Sequence, residues 1–326
     1  MELIKIEHLR ISFDSRTKKK EKVKILQDIN LSIEEGEVIA LVGESGCGKT
    51  TLGKTIVGLY PPSEGTIYYR GKDITKLNKK EYMDYRLGVQ MVHQDSFAAL
   101  NPNRTIFQSL SMPLMQNHIA KNKKEAEDIL KEYFTEVGLT PPEQFLYKYP
   151  HQLSGGQRQR ILLARALSVK PRVIVADEPV SMVDVSLRIA LIDLMTRMNQ
   201  KYKISFVYIT HDLATARYVA KDGRLAVMYL GRIVELNNIR EAIDNPKHPY
   251  FKALIAAVPS DIGRGRSEMK DLPLRSLDMP SVNNPPSGYS FHTRCPYYKD
   301  RCEKEIPKLR EFEGGMIACH FAEEIP

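Results

Sequence analysis

The stretch EVIALVGESGCGKTT, residues 37–51, restricts this chain more than any other part of its sequence. An apolar run that reads as a buried strand leads into a turn matching G-x-x-x-x-G-K followed by Ser or Thr, starting at Gly43, and a helix is expected from Lys49 to about Leu59. Glycines let the backbone curl so that successive N–H groups aim at phosphate oxygens, and the helix N-terminus adds the positive end of its dipole. In that setting Lys49 meets the β- and γ-phosphates, and the Thr50 hydroxyl is a ligand for Mg²⁺. A plain glycine turn needs neither the strand before it nor the helix after it. The pattern predicts a bound nucleoside triphosphate.

The rest of the chain suits such a site. Its 326 residues allow one main domain with an appendage, and 42% hydrophobic with 27% charged residues is ordinary for a globular protein. No run reaches the eighteen or so apolar residues of a membrane-spanning helix, and the N-terminus MELIKIEHLRISF alternates like a strand rather than a signal peptide, so the cytoplasm is the expected compartment. The net charge of +8 admits anionic partners without choosing one. Its densest basic run, Arg16 to Lys24, has no interleaved aromatics and reads as a solvated hairpin loop. From about residue 97 to 168 the pattern is helical: Ala126, Ile129, Leu130, Tyr133, Phe134 and Val137 share one face, with Gly138 placed as a cap. A helical subdomain inserted into an α/β core with a mainly parallel sheet is expected over residues 1–245. After about 245, Pro, Gly and Ser accumulate, and residues 246–326 read as a loop-rich extension.

Two further motifs carry chemistry. Asp177 ends the apolar strand VIVAD, from where a carboxylate reaches a Mg²⁺-bound water, and the adjacent Glu178 is a candidate general base. LSGGQ, Leu153 to Gln157, opens a helix with Ser154 as N-cap and with Gly155 and Gly156 leaving backbone amides bare. That is a second anion site on a chain that already has a phosphate loop, so it is expected to serve the nucleotide of a second subunit.

With these motifs in order, the first 240 or so residues resemble the ATP-binding-cassette (ABC) ATPases. The resemblance makes Gly43, Glu44, Ser45, Gly46, Cys47, Gly48, Lys49, Thr50 and Thr51 the Walker A loop and Ser154, Gly155, Gly156 and Gln157 the signature after Leu153. It makes Gln94 the Q-loop glutamine, Asp177 and Glu178 the Walker B acid and catalytic glutamate, Asp184 the D-loop aspartate and His211 the switch histidine. Phe13 falls at the place of the aromatic that stacks on adenine. Thr50, Gln94 and Asp177 are the implied Mg²⁺ ligands. What the family implies is the P-loop ABC-ATPase fold, with an antiparallel β subdomain, and two subunits that dimerise head to tail around ATP. The sequence departs from the usual pattern at SMVD, where SALD is commoner, and at His93 in MVHQD, where Phe is usual; neither change removes a catalytic group.

Relatives acting on DNA insert coiled coils or zinc modules before the signature, and the stretch from Lys49 to Ser154 holds only a helical subdomain; translation-factor relatives carry two cassettes. Transport is therefore the expected task. MVHQDSFAALNPNRTI, EAIDNPKHPYFKALIAAVP and a cysteine tail resemble the ATP-binding subunits of oligopeptide and dipeptide permeases, whose members import peptides and in some cases nickel or oligosaccharides. The resemblance implies a second ATPase subunit, two membrane permease subunits and an extracytoplasmic solute-binding protein as partners, no nucleic acid, and a peripheral place on the cytoplasmic face of the membrane.

Cys295, Cys302 and Cys319 remain. In a reducing compartment they do not read as disulfides; they are either small buried hydrophobes or metal ligands that fold a polar tail. Zinc would accept the three with His292 or His320, and an iron–sulfur cluster wants four ligands. Peptide-permease tails resemble a four-cysteine pattern around a 4Fe–4S cluster, which implies such a cluster here, with Zn²⁺ as the alternative. Tyr289 stands where the first of those four cysteines is expected.

Overall fold

Apolar strands alternating with amphipathic helices build a sheet with helices on its faces, and the computed structural model has this order over the residues it describes, 1–14, 22–257 and 274–325. Strands β1 (Glu2–Asp14) and β2 (Lys22–Glu34) come first, and most of the basic run Arg16–Lys24 lies outside the described residues. β3 (Val38–Val42) enters the glycine turn and α1 (Lys49–Ile56) leaves it. The helix stops three residues before Leu59 because Gly58 turns left-handed (φ 73°), the Leu59 N–H bonds the Lys54 carbonyl at 2.8 Å and the Gly58 N–H bonds that of Thr55 at 3.0 Å. β4 (Glu64–Tyr69), β5 (Lys72–Asp73), α2 (Lys79–Gly88) and β6 (Val89–Val92) follow. Then come the helices α3 (Ile106–Gln116), α4 (Lys123–Glu136), α5 (Glu143–Leu146) and α6 (Gly155–Leu167). The expected face of α4 is the buried one, with Ile129 at its half-buried edge, and Gly138 (φ 76°) closes the helix. β7 (Val173–Asp177), α7 (Val185–Tyr202), β8 (Ser205–Ile209), α8 (Leu213–Val219), β9 (Arg224–Tyr229), β10 (Arg232–Asn238), α9 (Ile239–Asp244) and α10 (Pro249–Ala256) lead to the tail, which contains α11 (Asp300–Lys304), β11 (Arg310–Phe312) and β12 (Gly315–Ile317).

The chain divides into two compact units. The first comprises residues 1–34, 38–76 and 208–326. It holds an antiparallel sheet in the order β2-β1-β4-β5, and a second sheet in which β3 runs parallel to β9 with Leu41 opposite Ala226. β10 pairs antiparallel with β9, and β12 with β10, so the tail supplies strands as well as loops. The tail builds no separate core and instead joins that of the first unit. Tyr289, Phe291 and Cys295 join Tyr229, Tyr250 and Phe251 in one buried cluster, with Phe291 ring centroids 5.2 Å from Tyr229 and 5.6 Å from Tyr250. A tail of this composition needs no private core when, together with α10, it completes one whose other half lies on β3, α8 and β9.

The second unit comprises residues 35–37 and 77–207. Here β6 and β7 are parallel, with Met91 opposite Val175, and β8 begins beside β7 through a 2.8 Å bond from the Ser205 N–H to the Arg172 carbonyl. β7 is buried along its whole length, as expected of a strand covered on both faces.

Candidate functional site

In the first unit the phosphate loop is shaped by what lies behind it. Gly43 has φ 152°, and a Cβ there would sit 2.2 Å from the Met228 carbonyl oxygen on β9, so only glycine lets the chain leave β3 at this point. Ser45 and Gly46 lie exposed on the loop, Gly48 precedes α1, and Thr50, also exposed, and Thr51 are in its first turn. The Lys49 ammonium is buried and braces the turn, donating to the carbonyls of Gly43 at 2.7 Å and Glu44 at 3.0 Å. Cys47 fills space beneath the loop; burial pushes its thiol up despite the neighbouring Lys49, so it is a packing group and not a nucleophile.

Glu44 differs from its neighbours in the loop. Its N–H donates to the Tyr250 hydroxyl at 2.9 Å, and its carboxylate accepts two bonds from Arg294, at 2.7 and 2.9 Å. The Glu44 amide is therefore not among those open to a phosphate. His211 follows β8, whose last turn of chain bonds Leu41 through the Thr210 N–H at 3.1 Å, so the histidine emerges beside the strand that feeds the loop. Asp212 caps α8 through the N–H groups of Ala214 and Thr215, at 2.8 and 3.3 Å, and His211 is exposed. Phe13 is 40% exposed, edge-on to Tyr60 with ring centroids 5.1 Å apart, and is not a core residue.

The second unit holds the remaining motifs. Asp177 closes β7 and is buried. Glu178 has φ 43°, a left-handed conformation that a non-glycine residue adopts at a cost, held by the Ser181 N–H and hydroxyl on its carbonyl at 3.2 and 2.9 Å. Its carboxylate accepts a 2.8 Å bond from the Gln94 side-chain amide, so two residues far apart in sequence meet. The signature helix begins with a capping box: Ser154 Oγ accepts from the Gln157 N–H at 3.3 Å, and Gln157 Oε1 accepts from the Ser154 N–H at 3.0 Å. The Gln157 amide is thus already paired, whereas Gly155 and Gly156 present theirs without side chains. A Cβ on Gly155 would lie 3.0 Å from the Met182 carbonyl oxygen, so the signature packs closely on the segment that ends at Asp184. Asp184 is exposed at the start of α7 and makes no side-chain cap.

Arg158, which sequence reasoning passed over, holds this corner. Its buried guanidinium donates to the carbonyls of Leu153 and Pro150 and to Ser96 Oγ, and lies 3.5 Å from the Phe97 ring centroid. Arg294 was also missed, since a lone arginine in a polar tail has no periodicity to mark it. Its position beside Cys295 was the only signal.

The tail thiols do not fit a metal site. Among the described residues no group of three His, Cys, Asp or Glu is arranged to hold a metal ion. Burial, with Cys319 and Cys302 nearby, pushes the Cys295 thiol up to about 12, and burial raises that of Cys319. Tyr289, at the expected first-ligand position, is buried with its hydroxyl 2.8 Å from His248 Nε2. Of the alternative ligands, His292 Nδ1 lies 2.9 Å from the Tyr289 carbonyl oxygen and His320 Nε2 lies 3.1 Å from that of Glu305, and neither belongs to a group arranged to hold a metal among the described residues. The expected 4Fe–4S cluster and its zinc alternative have no support in this arrangement: no group is set to hold a metal among the described residues, and for the cluster a phenol bonded to an imidazole stands where the fourth thiolate is expected.

Comparison with known proteins gives the family of the chain. Residues 26–181 match the family model of the ABC transporter, and residues 234–302 that of the oligopeptide/dipeptide transporter C-terminal region. The chain is 41% identical over 300 residues to the oligopeptide transport ATP-binding protein AppF of Bacillus subtilis, covering 91% of this chain and 89% of that protein. It is 37% identical to the oligopeptide transport ATP-binding protein OppF of Salmonella typhimurium, covering 97% and 95%. Among solved structures, the dimeric structure of a bacterial ABC transporter cassette matches with a TM-score of 0.65 at 29% identity, covering 73% of this chain and 99% of that one. This chain is an ABC ATPase and belongs to the ABC transporter family, in its group of oligopeptide/dipeptide transport ATP-binding proteins.

Proposed function

We propose that this chain hydrolyses ATP to drive an importer of oligopeptides or dipeptides, at the cytoplasmic face of the membrane. Its partners in this reading are a second ATPase subunit, two membrane permease subunits and, through them, an extracytoplasmic binding protein. The observation that carries the reading is that the cassette match and the peptide-transporter C-terminal match fall in one chain. No helix among the described residues is long and apolar enough to cross a membrane, and the reading assigns the passage itself to the permease subunits. Residues 1–245 form the cassette and residues 246–326 its extension.

Gly43 to Thr51 hold the nucleotide, with Lys49 on the β- and γ-phosphates and Phe13 against the base. The Thr50 hydroxyl, the Asp177 carboxylate and the Gln94 amide oxygen are hard oxygen donors of the kind Mg²⁺ takes, and the Gln94 bond to Glu178 uses the amide nitrogen and leaves that oxygen for the cation. Bound Mg²⁺ neutralises charge on the phosphates. Glu178, held by Gln94, takes a proton from the attacking water, and His211 donates to the γ-phosphate oxygens. The amides of Gly155 and Gly156, with Ser154, face the γ-phosphate held by the partner subunit, and Asp184 lies at that same junction. ATP thereby joins two subunits, and loss of the γ-phosphate releases them.

The test is reconstitution of the complete complex in proteoliposomes, with uptake of a labelled peptide. Wild type is expected to import peptide only with MgATP, and Glu178→Gln to lower hydrolysis by about 10²- to 10⁴-fold while MgATP still binds. Unchanged hydrolysis by Glu178→Gln removes the assigned base, and uptake of nickel or an oligosaccharide in place of peptide removes the assigned solute.

A further inference from the structure

The extension reaches the phosphate loop itself. Three separate groups converge on Glu44, the second residue of that loop. Arg294 from the tail forks onto its carboxylate at 2.7 and 2.9 Å, the Tyr250 hydroxyl accepts from its N–H at 2.9 Å, and Lys49 donates to its carbonyl at 3.0 Å. The arginine side chain is 4% exposed and the glutamate 27%, so this ion pair is more shielded from solvent than the others at the tail surface. Arg294 is fixed from behind as well. Its N–H bonds the Phe291 carbonyl at 2.9 Å, and its Nε points to the Ser276 carbonyl at 3.4 Å. Phe291 is fully buried between Tyr229 and Tyr250, and Tyr250 follows His248, which is bonded to Tyr289. The hydrophobic cluster that docks the tail therefore ends in two polar contacts on one loop residue. Two parallel bonds from a planar guanidinium fix orientation as well as distance, which a lysine ammonium does not do.

We propose that Arg294 and Tyr250 are positioning residues for ATP: the extension holds Glu44, and through it the carbonyl that braces Lys49, in the shape that receives the phosphates. This rests on the reading that Gly43 to Thr51 bind nucleotide. Loop conformation sets how well amides and lysine meet the phosphates, so the extension regulates nucleotide affinity and not only the stability of the fold.

The full-length chain is titrated with MgATP by calorimetry, and the hydrolysis kinetics of the assembled complex and the melting temperature without nucleotide are measured alongside. Arg294→Gln and Glu44→Gln are each expected to weaken MgATP binding by about tenfold, and the double variant to be no weaker than the worse single one, as residues in direct contact behave. KM for ATP rises more than kcat falls. Arg294→Lys retains the charge and is expected to recover part of the loss, and Tyr250→Phe, which keeps the ring in its cluster, weakens binding by a few-fold. Should Arg294→Gln fail to fold, Arg294→Lys and Tyr250→Phe carry the test. Wild-type affinity in these variants, or losses that simply add, overturns the proposal. Failure of the wild-type chain to bind MgATP overturns the reading of the loop, and the proposal with it.

Discussion

Tyr289 and His248 form a buried pair at the position where the resemblance implies a cluster ligand. His248 Nδ1 accepts from the Tyr250 N–H at 3.1 Å, which places the ring proton on Nε2, facing the Tyr289 hydroxyl at 2.8 Å. Burial lowers the His248 pKa to about 3, so the ring is neutral. Tyr289→Phe keeps the ring packing and removes this partner, and is expected to cost about 1–2 kcal/mol in urea unfolding. Chain purified without oxygen is expected to contain neither iron nor zinc in stoichiometric amount; absorbance near 400 nm that vanishes in Cys302→Ser would refute this. At this scale the candidate reactive residues stand out in the sequence because the chemistry proposed for them depends on short fixed spacing. The roles of Tyr289 and Arg294 do not, because each acts through a partner more than forty positions away.

Glu235 on β10 and the turn into α10 show how an element junction titrates. The carboxyl is 1% exposed and accepts from the N–H groups of His248 at 2.7 Å and Lys247 at 3.3 Å. Burial pushes its pKa up to about 7, against the pull of those N–H bonds and of Lys247 and Lys252. Between pH 4.5 and 7 the folded chain keeps a proton that the unfolded chain has released, so this group makes stability fall as pH rises through that window. His248 works in the opposite sense between pH 3 and 6.5, where the unfolded chain binds a proton that the folded one excludes. Glu235→Gln keeps an acceptor and removes the first effect. Relative to wild type the variant should gain about 2–3 kcal/mol between pH 4.5 and 8, measured by denaturant unfolding at each pH. No gain would mean that Glu235 is solvated. Helix faces such as that of α4 were readable from a period of 3.6, and the early end of α1 follows from Gly58. The pairing of β12 with β10 was not readable, since three residues carry no period.

At the scale of the whole molecule, the extension contributes residues to the first unit's core. A chain ending at Asn245 loses Tyr250, Phe251, Tyr289 and Phe291 from the cluster around Tyr229. Each buried aromatic is worth about 3–5 kcal/mol against alanine, and a domain has only about 5–15 kcal/mol in total. The truncated chain is expected to aggregate or to melt at least about 10 °C lower. Melting within 2 °C of the full chain would show that the cassette is self-sufficient.

Local sequence determined the strand, turn and helix around Gly43, the acid pair after β7 and the cap that opens α6, because each depends on backbone geometry set within a few residues. Those motifs, in their order, were enough to place the chain among ABC ATPases. Tertiary structure alone decided that Gln94 meets Glu178, that Gly155 of the signature packs on the Met182 carbonyl, and that the tail closes on Glu44. These contacts join segments whose separation no period or spacing encodes, and they form only when burial of the shared core brings the segments together.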